Sequence, residues 1–194
     1  DTDITQRGAS FSRTGHGTGQ GSVSMIAIDS SDGSLGTATE YRFGKGACDG
    51  SVGEWKEGAR FRQERCHPHG VVCDPINNNL FVADLGSNQV VRWINDTDKG
   101  MLHSPLGTTL HPFAGPRHLD FSPDGRMLYV TNELDNTVCV FRHHIDSSTV
   151  TLVQTLYSVP LDYLEENLMT RPGNLYSKPS HASELLVTQD GRFV

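Results

Sequence analysis

Short apolar runs separated by polar turns recur along most of the chain. The first clear run covers residues 23–28 and leads into a polar turn at residues 29–35. Later runs such as residues 80–83 and 128–131 are rich in Val, Leu and aromatic residues. This pattern is typical of strands in an all-β protein. Several runs are apolar at consecutive positions, which predicts strands that are covered on both faces.

Two copies of one pattern lie in the middle of the chain. Residues 68–93 repeat as residues 116–141 with a constant offset and without a gap, so that Asn88 falls on Asn136. Repeats of this length are typical of the blades of a β-propeller. A strand–turn–strand pattern occurs three times between residues 23 and 152. We therefore predict an all-β propeller fold with about three blades in this chain.

A fourth unit is predicted to begin near the end of the chain. Residues 190–194 repeat residues 124–128, and the longer interval between these copies includes a helix-like segment at residues 161–169. Residues 1–20 are rich in Gly, Ser and Thr and predict a flexible N-terminal segment. We expect residues 21–194 to form a partial propeller domain that is truncated inside a blade.

Charge and composition exclude several classes of function. The chain has 194 residues and a net charge of −7, and its basic residues form no run that would neutralise nucleic-acid phosphates. It has no apolar stretch long enough for a membrane span. Its four cysteines (Cys48, Cys66, Cys73 and Cys139) show no CxxC spacing. Buried thiols at Cys73 and Cys139 favour a reducing compartment, and we expect a cytoplasmic protein.

Three polar residues are candidates for catalysis. His69 and Arg117 occupy equivalent positions at the start of the two units, and Glu133 follows an apolar run. The inner strands of all blades line one central channel, so His69 and Arg117 are expected to lie close together. Arginine stabilises an oxyanion or binds a phosphate or carboxylate, whereas His69 or Glu133 can take a proton from water. His67 and His69 alone make a weak metal-ligand set, and no metal is expected.

Structural explanations exist for each of these residues. His69 is also consistent with a hydrogen-bonded strand histidine, and Glu133 with a turn carboxylate. Arg117 is also consistent with a brace between blades that pairs with Asp120 or Glu133.

Four further polar residues are interpreted as structural. The pair His143 and His144 is predicted to be solvated at a strand end. Asp84 and Asn132 are equivalent and are predicted to cap turns.

Four motifs together resemble the lactonase family of seven-bladed propellers, which includes the propeller-type 6-phosphogluconolactonases and the fungal carboxymuconate cyclases. They are HPHGV at residues 67–71, GPRHL at 115–119, SPDGR at 122–126 and NEL at 132–134. The resemblance extends from about residue 21 to residue 194. It implies a ring of seven four-stranded blades, with His69, Arg117 and Glu133 lining the site. It also implies a further arginine shortly beyond Val194, so that the site in this chain is incomplete.

The same resemblance implies a function. The first expectation is a lactone hydrolase of the 6-phosphogluconolactonase type, which opens a sugar lactone with water in the pentose phosphate pathway. Such an enzyme needs no organic cofactor, and its substrate is a small anionic lactone or carboxylate. The alternatives are a carboxy-cis,cis-muconate cyclase on the same fold and a non-catalytic propeller scaffold.

Overall fold

The computed structural model describes residues 21–43, 63, 65–160, 162 and 181–194, and within them it contains ten strands with antiparallel pairing. The strands are β1 (Ser22–Ile28), β2 (Leu35–Arg42), β3 (Pro68–Cys73), β4 (Leu80–Asp84), β5 (Gln89–Asp96), β6 (Met101–Thr109), β7 (Pro116–Phe121), β8 (Met127–Asn132), β9 (Thr137–His144) and β10 (Thr149–Tyr157). The all-β prediction is confirmed. The predicted flexible segment 1–20 and, apart from Asp162, the helix-like segment 161–169 lie outside the described residues. In the part that is described, no helix has the length and apolar character that a membrane crossing requires.

The strands form three sheets that follow chain order. β3–β6 make one four-stranded sheet, here called the first blade, and β7–β10 make the second blade. β1 and β2 pair as the N-terminal hairpin. The sequence repeat is reproduced in the register, since Val82 pairs with Val91 and the equivalent Val130 pairs with Cys139. The propeller prediction is therefore confirmed, with two whole blades and one half-blade in the described residues.

Asparagine closes the equivalent turn in both blades. Asn88 and Asn136 have positive φ angles of 60° and 58°, a conformation that asparagine tolerates better than most residues. The Asn88 carbonyl accepts a hydrogen bond from Leu110 N at 3.0 Å, and the equivalent Asn136 carbonyl accepts from Ser158 N at 2.8 Å. The Asn88 side chain also accepts from Gly115 N at 2.9 Å, which ties the first blade to the start of the second.

The start of a fourth unit is visible in residues 181–194. Thr188 N donates to Phe193 O at 3.0 Å, as Ser122 N donates to Met127 O at 2.9 Å. Side-chain bonds to Asp190 likewise repeat those to Asp124. The turn of the second blade therefore recurs near the end of the chain, as the sequence predicts.

Face-to-face packing of the sheets forms two apolar clusters. All five residues of β4 are buried, which confirms that this strand is covered on both faces. On one face, Phe81 contacts Phe121 of the second blade edge-on at 5.3 Å between ring centroids. Burying a side chain of this size contributes about 1.5–3 kcal/mol. The cluster between the two blades contains Phe81, Ala83, Val90, Leu110, Ala114, Leu119, Phe121, Leu128, Val130, Cys139 and Phe141. The cluster beneath the N-terminal hairpin contains Val23, Phe43, Cys66, Leu80, Val82, Val91, Trp93 and Leu102.

His143 does not lie at the solvated surface, so this prediction was wrong. Its exposed fraction is 4%, whereas His144 is exposed as predicted. The cause is strand alternation, because residues two apart in β9 face the same side. His143 therefore shares the buried face of Cys139 and Phe141.

The buried imidazole of His143 connects the two blades. Its ring packs edge-on against Phe81 at 5.6 Å and Phe121 at 5.2 Å. Nδ1 lies 2.8 Å from the carbonyl oxygen of Gly125, and Nε2 lies 3.6 Å from a carboxylate oxygen of buried Asp74.

The cysteines are only partly as predicted. Cys73 and Cys139 are free thiols, and Cys139 is buried. Cys66, however, is disulfide-bonded, which corrects the expectation of an entirely reduced chain. Disulfides persist mainly in oxidising compartments.

The inner strands of the two blades approach each other closely at Gly70. A Cβ at this position would lie 2.5 Å from the carbonyl oxygen of Arg117 and 3.0 Å from the Cα of His118. Both obstacles are backbone atoms, which cannot rotate away as a side-chain tip can. The start of β3 therefore packs directly on the start of β7.

Replacement of His143 by alanine should destabilise the natural protein by about 3–5 kcal/mol, because it removes a buried ring that packs on Phe81 and Phe121 together with its hydrogen bond to Gly125. His144→Ala is the matched control, since it truncates the exposed neighbour and should change the unfolding free energy by less than about 1 kcal/mol. Urea unfolding measures both values. Equal effects of the two substitutions would contradict the buried position of His143.

Gly70→Ala should separate the two inner strands and cost about 1–3 kcal/mol. Gly36→Ala in β2 is the control, because its Cβ would meet Ala27 only at an ordinary 3.5 Å. Differential scanning fluorimetry compares the two melting temperatures. Similar melting temperatures for both variants would argue against the close approach of β3 and β7.

Candidate active site

His69 and Arg117 lie at irregularities in the pairing of the inner strands. In the first blade Pro68 pairs with Asp84 and then Gly70 with Ala83, so the register shifts around His69. The second blade repeats this shift around Arg117, between Pro116 and His118. A β-bulge redirects the side chain at which it occurs. The two predicted residues therefore occupy the same special position in successive blades.

The three predicted residues lie together. Arg117 Nε is 2.9 Å from a carboxylate oxygen of Glu133. His69 lies close enough to both charges that each affects its pKa. Glu133 is positioned by its own backbone, since its N–H donates to the carbonyl oxygen of Gly115 at 2.8 Å. The equivalent bond in the first blade joins Leu85 N to His67 O at 3.1 Å.

The guanidinium of Arg117 is held from two sides. Besides Glu133, it donates through Nη1 to the carbonyl oxygen of Ser183 in the fourth unit. The side chain is 22% exposed, and that of Glu133 is 8% exposed. Arg117 thus pairs with Glu133 as one alternative predicted, but both residues belong to the second blade, so this ion pair does not join two blades. The link to the next unit is the hydrogen bond to Ser183. The other expected partner, Asp120, instead accepts a hydrogen bond from Val187 N at 2.9 Å.

The surroundings of His69 favour its neutral imidazole form. Burial lowers its pKa, and the nearby charges of Arg117 and His118 lower it further, while the Glu133 carboxylate opposes them. A neutral imidazole is able to accept a proton. The cluster thus combines a proton acceptor with a fixed cation.

Sequence reasoning missed two members of this cluster. The ring of His118 lies 5.4 Å from that of His69, measured between centroids. His118 Nδ1 lies 2.8 Å from a carboxylate oxygen of Glu184. The signal was present in the repeat, because extending the match between residues 124–128 and 190–194 backwards aligns Glu184 with His118.

Asp84 is a turn residue, as predicted. One of its carboxylate oxygens accepts hydrogen bonds from the backbone N–H groups of His67 at 2.7 Å, Gly86 at 3.0 Å and Ser87 at 3.1 Å. Burial raises the pKa of this carboxyl group. Asn132, the equivalent of Asp84 in the second blade, behaves differently. Its side-chain amide donates to the side chains of Thr137 and Cys139, and in these bonds it caps no backbone group.

Two further observations concern possible ligands. Across the described ranges, no three His, Cys, Asp or Glu side chains converge in a way that could hold a metal ion. A cavity of about 660 Å³ lies between β1 and the far ends of β3 and β7. Its wall includes Met25, Cys73 and Phe121 but none of the three predicted residues. We place the candidate site at the His69–Arg117 cluster, because that is where charged and proton-accepting groups converge.

Several known proteins are similar to this chain. A 6-phosphogluconolactonase of Bacillus subtilis (strain 168) is 29% identical over 138 residues, covering 71% of this chain and 35% of the relative. One from Serratia proteamaculans (strain 568) is 33% identical over 129 residues, covering 66% and 35%. The structure of the periplasmic gluconolactonase PpgL of Pseudomonas aeruginosa has a TM-score of 0.68 at 27% identity.

Coverage is unequal between the chain and its relatives. PpgL matches 95% of this chain, but the chain matches 44% of PpgL. The chain thus spans about a third of the curated relatives it matches. The family model described as lactonase, seven-bladed β-propeller, matches residues 11–194. With its blades, its repeat and this match, the chain belongs to the lactonase family of seven-bladed β-propellers.

Proposed function

We propose that the natural protein is a lactone hydrolase of the 6-phosphogluconolactonase type. The observation that carries this proposal is the Arg117–Glu133 ion pair beside His69, whose pKa is lowered by its surroundings. Relatives named 6-phosphogluconolactonase support the same reaction class. The substrate is a sugar lactone with an anionic group, and the products are those of adding one water molecule.

Attack by water is the first step. His69 accepts a proton from the water molecule while its oxygen forms a bond to the lactone carbonyl carbon. The carbonyl electrons move to the oxygen, which becomes an oxyanion. The lowered pKa of His69 keeps the ring ready to accept that proton at neutral pH.

Arg117 stabilises the negative charge that develops. Its Nε and Nη1 are engaged by Glu133 and Ser183, and within the described residues Nη2 has no hydrogen-bond partner. Nη2 is therefore available to an oxyanion or to an anionic group of the substrate. Collapse of the intermediate breaks the bond between the carbonyl carbon and the ring oxygen, and a proton is returned to that oxygen. The result is an open hydroxy acid.

The role of Glu133 follows from its contact. A carboxylate that accepts the Nε–H of Arg117 holds the guanidinium in place and is less available to take a proton from water. We therefore propose Glu133 as the residue that positions Arg117, with His69 as the proton acceptor.

The other functions expected from the sequence remain hypotheses. A muconate cyclase would require several cations for the substrate carboxylates together with a proton donor. A scaffold would bind a partner without turnover. Assays with a sugar lactone and with a carboxymuconate separate the three, because only the hydrolase consumes the lactone.

The compartment also remains a prediction. The sequence predicts the cytoplasm, whereas the disulfide at Cys66 favours an oxidising compartment. We propose the latter.

Arg117→Ala should lower kcat for lactone opening by about 10²–10³-fold, the usual loss when an oxyanion donor is removed. The assay uses the natural protein at its full encoded length. Arg126→Ala is the matched control, since Arg126 is an exposed turn arginine whose nearest carboxylate, on Asp124, lies at 3.9 Å. An unchanged rate for Arg117→Ala would disprove its role. A wild-type protein without turnover would disprove the lactonase proposal itself.

At acidic pH, kcat/KM should increase as the pH is raised, and the apparent pKa of this increase should lie below the ordinary histidine pKa of about 6.5. The reason is that His69 must be neutral, and its surroundings lower its pKa. His69→Asn should remove this limb together with most of the activity, while His144→Gln, a change at an exposed histidine, should leave the profile unchanged. A wild-type limb above the ordinary value would contradict the assignment.

A further inference from the structure

His118 lies between the proposed base and a carboxylate. Its ring is 5.4 Å from the ring of His69, with 57° between the planes, and its Nδ1 is 2.8 Å from an oxygen of Glu184. The His118 side chain is 26% exposed, whereas that of Glu184 is 69% exposed. The imidazole is thus partly withdrawn from water, and its partner reaches it from the fourth unit.

The contact with Glu184 assigns the two nitrogens of His118. A carboxylate this close to Nδ1 favours the tautomer that carries a proton there and stabilises the imidazolium form. Within the described residues, His118 Nε2 makes no hydrogen bond. Nε2 is therefore the nitrogen that is available to exchange a proton with a bound molecule.

The two histidines have different electrostatic surroundings. Burial lowers the pKa of both rings, and the charge of Arg117 lowers both further. The Glu184 carboxylate raises the pKa of His118, and the Glu133 carboxylate raises that of His69, whereas a proton on His118 lowers the pKa of His69. His69 and His118 together therefore bind a first proton more readily than a second. The pKa of His118 is lowered overall, mainly by burial, and the Glu184 carboxylate opposes this shift. We expect a shared proton to lie on His118, because the carboxylate beside His69, Glu133, is already engaged by Arg117. Neighbouring groups whose surroundings separate their proton affinities are typical acid–base partners.

We propose that His118, paired with Glu184, is the general acid of the site and complements His69 as the general base. This proposal rests on the proposed lactone hydrolysis. His69 takes a proton from the attacking water, and His118 gives its Nε2 proton to the ring oxygen as the bond from that oxygen to the carbonyl carbon breaks. The proton on His69 then returns to His118, so no proton is gained or lost by the pair. Glu184 is a positioning residue that acts through His118.

The proton arrangement is tested without turnover. In protein labelled with ¹⁵N at histidine, a pH titration by NMR follows His69 and His118 separately. On lowering the pH, His118 should take up its proton before His69, and Glu184→Gln should lower the pKa of His118. Asp98→Asn is the control, because it removes a similarly exposed charge in a distant turn. Protonation of His69 first, or an unchanged His118 in Glu184→Gln, would overturn the proposal.

Kinetics test the chemical role. His118→Asn should lower kcat by about 10²-fold or more with a smaller change in KM. Glu184→Gln should move the alkaline limb of the kcat/KM profile to lower pH, and this exposed substitution keeps the test valid even where His118→Asn does not fold. Wild-type rates and profiles in both variants would overturn the acid role and leave the lactonase proposal standing. If the wild-type protein showed no turnover, the lactonase proposal would be wrong, and the acid role of His118 in lactone opening would be wrong with it. The NMR titration would in that case describe only where the proton lies.

Discussion

The structure depends on the backbone contact between β3 and β7 at Gly70. A side chain at this position would meet the carbonyl oxygen of Arg117 at 2.5 Å, so the two inner strands approach as closely as they do only because none is present. This contact sets the separation of the blades at the end where both strands begin. It therefore also sets the distance between His69 on one strand and Arg117 and His118 on the other. The close approach of β3 and β7 therefore determines both the packing of the two blades and the geometry of the candidate site.

The repeat made much of this arrangement predictable. A constant offset that holds without a gap requires equivalent residues to have equivalent partners, and the pairing of Val82 and Val130 shows that they do. Positions His69 and Arg117 could be placed together from the sequence for the same reason. What the sequence could not supply was the bulge at each of them, because a register shift depends on the pairing strand as well as on the strand itself.

The remaining differences arise from contacts across blades. His143 carries a polar side chain at a strand end, and only the register of β9 and the rings of the neighbouring strands make it a buried residue. Glu184 was hidden for another reason. The interval before the fourth unit is longer than the period of the first two units, so the offset that relates those units does not align Glu184 with His118. The disulfide at Cys66 has no spacing signal that sequence reasoning could use.

A structural role and a role in the site are compatible for Arg117. A largely buried ion pair contributes little net stability, because the loss of hydration offsets most of the attraction. Its more certain effect is geometric: Glu133 and the carbonyl oxygen of Ser183 restrict the guanidinium from two directions and leave one end of it for another acceptor. Restriction before the substrate arrives lowers the cost of reorganisation during the reaction. The contact that looks structural is thus the one that gives the cation a defined direction.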